Sequence, residues 1–152
     1  MSAIKFINVL MVLLILQSCS KQQLLVKEKH SNYNGLITQS IKIKPYNDSQ
    51  QLLLVCFSEI IANKLTGLSC QNDTGFHLFS GGIINGDFKL EKVSQFLLKI
   101  KPQTILNYLR LSLFTEYSII TEPKYHIKVT KTSKQTIIED MQKQRIVEII
   151  VL

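Results

Sequence analysis

Within residues 36–44 apolar and polar side chains take turns, so that Ile41 and Ile43 fall on one face and Lys42 and Lys44 on the other. Only an extended strand sends successive side chains to opposite faces, which gives this stretch one side for a core and one for water. Half-wet strands of this kind belong to antiparallel sheets. The alternation returns at residues 125–131, where Tyr125, Ile127 and Val129 oppose His126, Lys128 and Thr130. In between, Pro45 to Ser49, Ser69 to Gly75, Gly81-Gly82 and Asn85-Gly86 interrupt the pattern with residues that favour turns. The pattern predicts strands over residues 36–44, 51–57, 59–68, 76–79, 125–131, 133–138 and 145–152. The runs 51–57 and 145–152 are largely apolar, which predicts that the first is covered on both sides and that the second is central or faces apolar cover. Residues 81–95 are predicted as a loop with one short strand at 88–90, and residues 139–145 as a charged hairpin loop.

Period two breaks at residues 102–114. Pro102 stands in a first helical turn, where its missing N–H costs nothing. Ile105, Leu106, Leu109 and Leu113 then recur at helical spacing, while Asn107 and Arg110 point away. That apolar face must lie on the sheet, either as plain core or as cover for something bound there. The predicted fold class is α+β, mainly antiparallel β, with residues 35–152 as one domain around one core.

Residues 1–18 stand apart from that domain. Lys5 is followed by an almost unbroken apolar run from Phe6 to Leu16, then by Gln17-Ser18-Cys19. A positive charge, a short apolar run and small residues make an export signal. The run is shorter than the about 20 residues needed to cross a bilayer. Leu16-Gln17-Ser18-Cys19 resembles the lipobox of bacterial lipoproteins. The resemblance implies cleavage before Cys19, a diacylglycerol thioether on its sulfur and acylation of its new amine. A single myristoyl chain anchors only marginally, so the two or three chains implied would hold the protein on a membrane. Residues 19–34, mostly polar, are then lipid anchor and tether. Ser20, where an aspartate would retain a lipoprotein at the inner membrane, resembles the outer-membrane sorting signal of enteric bacteria.

Cleavage would leave 134 residues with 17 basic and 11 acidic side chains, a net charge of +6. The excess is either a solvated lysine-rich surface or one drawn to anionic lipid. Nucleic acid is not an expected partner. Export argues against it, and Arg110 and Arg145 are the only arginines, the usual bidentate readers of bases. Cys56 lies in an apolar run and Cys70 in a polar one. Cys56 is expected as a small buried residue and Cys70 as a free loop thiol, in preference to a bridge. His30, His77 and His126 share no ligand spacing, no serine stands in a G-x-S-x-G turn, and Asp48, Asp73 and Asp87 sit among turn residues. No catalytic residue, metal ligand or cofactor is expected, and the chain is not expected to be an enzyme.

Gly35-Leu36-Ile37-Thr38-Gln39, the paired strands 51–57 and 60–68, Gly75-Phe76-His77-Leu78-Phe79-Ser80 and the proline-led helix from Lys101 to Leu111 occur in that order. Over residues 35–152 they resemble the LolB-like outer-membrane lipoproteins of Gram-negative bacteria. The resemblance implies a half-open β-barrel or curved sheet with one or two helices on a concave face that receives acyl chains or a lipidated protein. Such a pocket would draw its lining from Leu53, Val55, Phe57, Ile61, Phe76, Leu78, Leu106, Leu109, Leu113 and Val129. It also implies a membrane-contact residue on a loop, for which Leu68 in Gly67-Leu68-Ser69 is the nearest position. The expected function is a non-enzymatic carrier or acceptor of acyl chains or lipoproteins, lipid-anchored to the outer membrane and facing the periplasm. The alternative is a structural or interaction lipoprotein of an envelope complex, whose sheet closes on its own side chains and holds no ligand.

Overall fold

A computed structural model describes residues 33–94, 100–114, 120–122 and 126–152. The expected signal, Cys19 and most of the expected tether lie outside the described residues. Among those described, nine strands form one antiparallel sheet: β1 (Gly35–Pro45), β2 (Leu52–Ile61), β3 (Lys64–Asn72), β4 (His77–Ile84), β5 (Asp87–Val93), β6 (Ile120–Glu122), β7 (Ile127–Lys131), β8 (Gln135–Asp140) and β9 (Arg145–Val151). Helix α1 (Pro102–Phe114) falls between β5 and β6. The strand order β5-β4-β3-β2-β1-β9-β8-β7-β6 shows how the chain uses it. Hairpins lead from β1 at the middle out to one edge, α1 intervenes, and hairpins lead back from the other edge until β9 pairs with β1. The sheet curves without closing, and α1 packs on its inner face.

The alternation of β1 sets that inner face. Ile37, Gln39, Ile41 and Ile43 are buried, and their neighbours are not. Across the register the buried set continues with Leu54, Cys56, Ser58 and Ile60 of β2 on one side and Val147 and Ile149 of β9 on the other. β9 is central, as its apolar run predicts. β2 differs from expectation: it is not covered on both sides, because Leu53, Val55 and Phe57 face outward and are half-buried. An apolar run does not distinguish a doubly covered strand from one whose outer side chains shelter under their neighbours.

The third strand also begins later than predicted. β2 continues to Ile61 and turns at Ala62-Asn63, with φ of 50° and 62°, before β3 starts. Left-handed backbone at both central residues is the hairpin geometry that matches strand twist. Asn63 suits it, whereas the Cβ of Ala62 opposes it by about 1–2 kcal/mol. Ala62→Gly is therefore expected to raise stability by about 0.5–1 kcal/mol, the gain being reduced by glycine's greater freedom in the unfolded chain. Urea unfolding checks this; an unchanged or lowered midpoint would contradict it.

Residues 81–93 are not a loop. β4 runs through Gly81-Gly82 to Ile84, turns at Asn85-Gly86 and returns as β5. Gly81 permits the close pairing: a Cβ there would lie 2.5 Å from the Lys89 carbonyl oxygen and 3.0 Å from the Phe88 ring. The glycines that suggest a break in the sequence thus allow an irregular but continuous hairpin. The expected free thiols are likewise corrected. Cys56 and Cys70 sit opposite one another on β2 and β3, with Cα atoms 4.1 Å apart, and form a disulfide. Cys70 is not in a loop because β3 extends to Asn72.

Candidate functional site

The inner face is where the resemblance places a ligand, and there α1 is deeply embedded. Ile105, Leu106, Tyr108, Leu109, Leu111, Ser112, Leu113 and Phe114 are all buried, a far wider sector than one stripe. All but Ser112 share one core cluster with Ile41, Leu54, Phe79 and Ile138 of the strands. Arg110, on the less buried side, lies over the Phe88 ring of β5 at 5.8 Å, a cation–π contact that ties the helix to the edge hairpin.

Polar pairs set the position of the helix on the sheet. The Tyr108 hydroxyl donates to Asp140 Oδ2 at 2.5 Å, and Ser112 Oγ donates to Thr136 Oγ1 at 3.1 Å. Tyr108, Asp140, Ser112 and Thr136 are each about 2% exposed. Asp140 Oδ1 also accepts the Lys143 backbone amide at 2.9 Å, and Lys143 Nζ donates to Thr104 Oγ1 at 3.3 Å. Asp140, predicted in a charged loop, is thus the buried last residue of β8, in phase with Thr136 and Ile138. Elsewhere on the inner face Ser58 Oγ donates to Gln39 Oε1 at 3.0 Å, while Gln39 Nε2 has no partner among the described residues.

Burial, the hydrogen bond to Asp140 and that carboxylate's charge hold the Tyr108 phenol far above its usual value, against a smaller downward pull from Arg145. Above the ordinary tyrosine pKa of about 10 the unfolded chain releases this proton while the folded one keeps it. Stability contributed by Tyr108 is therefore complete below about pH 10 and declines above it. The expected slope is up to about 1.4 kcal/mol per pH unit. Urea unfolding between pH 8 and 11 should show this excess slope in the parent chain and not in Tyr108→Phe; equal slopes would contradict it.

The residues expected to line a ligand pocket do not form one group. Leu78, Leu106, Leu109, Leu113 and Val129 meet in the core. Leu53, Val55 and Phe57 lie on the outer face of β2, Ile61 is exposed at its end, and Phe76 is exposed in the β3–β4 connection. The buried face of β2 is the even-numbered one, opposite to the face expected. Leu68 is also corrected: it is 4% exposed, inside β3, and is on no loop. The residues available for surface contact are others. The start of β1, the Ala62-Asn63 turn and the Asn85-Gly86 turn share one end of the sheet, where Leu36, Ile61, Ile83 and Ile84 are exposed. The chain enters the first strand at that same end, where the Tyr33 hydroxyl donates to the Ser133 carbonyl oxygen at 3.2 Å. The signal for this end was the Asn-Gly pair between Ile84 and Asp87, a strong hairpin motif.

Comparison of the chain with protein-family profiles, curated proteins and solved structures finds no match.

The opposite end carries a pocket of about 300 Å3 between the β1–β2 connection, the β8–β9 turn and the approach to α1. Ile43, Pro45, Leu52 and Ile100 provide its apolar wall, and Lys143 and Arg145 its basic side. Neither Lys143 nor Arg145 was a candidate from sequence, because residues 139–145 read as a charged hairpin loop. Among the described residues, no three His, Cys, Asp or Glu side chains gather as a metal site. No helix among them is long and apolar enough to cross a membrane.

Proposed function

We propose that this chain is a lipid-anchored, non-enzymatic interaction protein of the bacterial envelope, held through Cys19 on the outer membrane and facing the periplasm. Its curved sheet is a closed scaffold whose outer surfaces and ends make the functional contacts. The observation that carries this choice over a carrier is the burial of α1: the inner face is filled by the chain's own side chains. The Cys56–Cys70 disulfide supports the exported location, since such bonds persist in oxidising compartments. The exposed Leu36, Ile61, Ile83 and Ile84 beside the tether suit an end turned towards the bilayer.

The tether is tested by labelling growing cells with radioactive palmitate. The parent chain should incorporate label and Cys19→Ala should not; label retained in the variant would contradict the anchor.

Carriage of acyl chains or lipidated proteins on the inner face is the second reading. It is favoured by the polar seam under α1, where Tyr108–Asp140 and Ser112–Thr136 replace apolar contacts with hydrogen bonds that water can satisfy when the helix lifts. A Ser112→Cys/Thr136→Cys disulfide would pin the helix. If the parent binds a fluorescent long-chain fatty acid and the pinned protein does not, the carrier replaces the closed scaffold.

A further inference from the structure

The pocket at the N-terminal end of α1 lies at the rim of the inner face, between the β1–β2 connection and the β8–β9 turn, and its chemistry differs from that of an acyl-chain cavity. We infer that it binds a small amphiphile bearing one carboxylate on a short alkyl or aryl body. The volume, about 300 Å3, is at the lower end of small-molecule sites, which suits one short chain or ring and is too small for a diacyl lipid or a lipidated protein. Ile43, Pro45, Leu52 and Ile100 provide the apolar contact.

The basic side gives the head group. Arg145 opens β9 facing inward, in register opposite Asp140, yet it makes no ion pair with that carboxylate, which is engaged by Tyr108 and the Lys143 amide. Arg145 Nε donates to the Lys143 carbonyl oxygen at 3.4 Å, and its buried Nη1 has no acceptor among the described residues. Arg145 nevertheless forms part of the pocket wall, and a carboxylate entering there brings a planar pair of oxygens to which a guanidinium is matched. Lys143 stands beside it, and its ammonium donates to the neutral Thr104 hydroxyl. Asp48 is the one carboxylate in the wall, and its Oδ1 already accepts the Gln50 amide at 2.8 Å. The first turn of α1 has no acidic residue, so the positive end of the helix dipole adds to the same potential.

The test is calorimetric titration of the full lipidated chain in phospholipid nanodiscs, with empty discs as blank. The probes are hexanoate, its neutral counterpart hexanamide, and acetate, which has the charge without the body. Hexanoate should bind at least about tenfold more tightly than either of the others, the size of one charge-assisted hydrogen bond. Arg145→Gln should remove that advantage, and Lys143→Gln, on the exposed turn, should reduce it about threefold. Equal binding of hexanoate and hexanamide, or no binding of either, overturns the inference. If Arg145→Gln does not fold, Lys143→Gln decides: hexanoate affinity equal to that of the parent overturns it. None of these outcomes depends on whether the inner face carries acyl chains.

Discussion

Replacing Leu109 with alanine is expected to cost about 2–5 kcal/mol, the largest effect of any single substitution considered for this domain. Leu109 is fully buried at the middle of α1, between the polar anchor at Tyr108 and the cation–π contact at Arg110. Truncation removes buried methyl and methylene groups and leaves a cavity, and the curved sheet on the other side cannot collapse to fill it without breaking its ladder. A domain of ordinary stability has only about 5–15 kcal/mol to lose. Gln103→Ala, on the exposed side of the same helix, should change stability by no more than about 0.5 kcal/mol. Urea unfolding of both variants checks this. A Leu109→Ala effect below about 1 kcal/mol would mean that the helix face is a cover for something absent, and not core.

The second large effect concerns the disulfide. Cys56 and Cys70 are 14 residues apart, and the loop they close restricts the unfolded chain by about 3 kcal/mol in the loop-entropy account. The Cys56→Ala/Cys70→Ala variant should lose about 2–3 kcal/mol, towards the lower end where the hairpin of β2 and β3 already keeps the two strands close in the unfolded ensemble. Both cysteines are fully buried, so a reductant should reach the bridge in the unfolded chain long before it does so in the folded one. A double variant as stable as the parent, or a bridge reduced at once under native conditions, would contradict the assignment.

The parts of this fold that were legible in the sequence are those in which one physical signal acts alone. Helix α1 spans residues 102–114 as predicted, because Pro102 fixes its start and the leucine spacing continues without a break. β1 and β9 follow from clean alternation and from an apolar terminal run. The failures come where two signals compete. Ala62 occupies a left-handed turn position that alanine rarely adopts, so no turn signal marked the end of β2. Gly81-Gly82 read as a break, although it lets β4 and β5 approach closely. Asp140 read as part of a charged hairpin loop; its place in the Thr136–Ile138 alternation gave the opposite signal. The disulfide required a register that spacing does not supply, and β6, three residues long, carried no pattern of its own.

The candidate site was less legible than the fold for the same reason. A lining list needs the face of every strand, and a one-residue error reverses it, as happened throughout β2. The basic pocket is assembled from three separate connections, which meet only because β1 and β9 pair at Pro45 and Arg145.

Hydrogen exchange at the amides of residues 105–114 tests the closed scaffold most directly. The account predicts that these amides open only with the whole domain, with protection equal to the global unfolding free energy. It also predicts that phospholipid vesicles and an acylated peptide leave that protection unchanged. Exchange through a local opening that becomes more frequent when acyl chains are added would contradict it and return the inner face to the cargo.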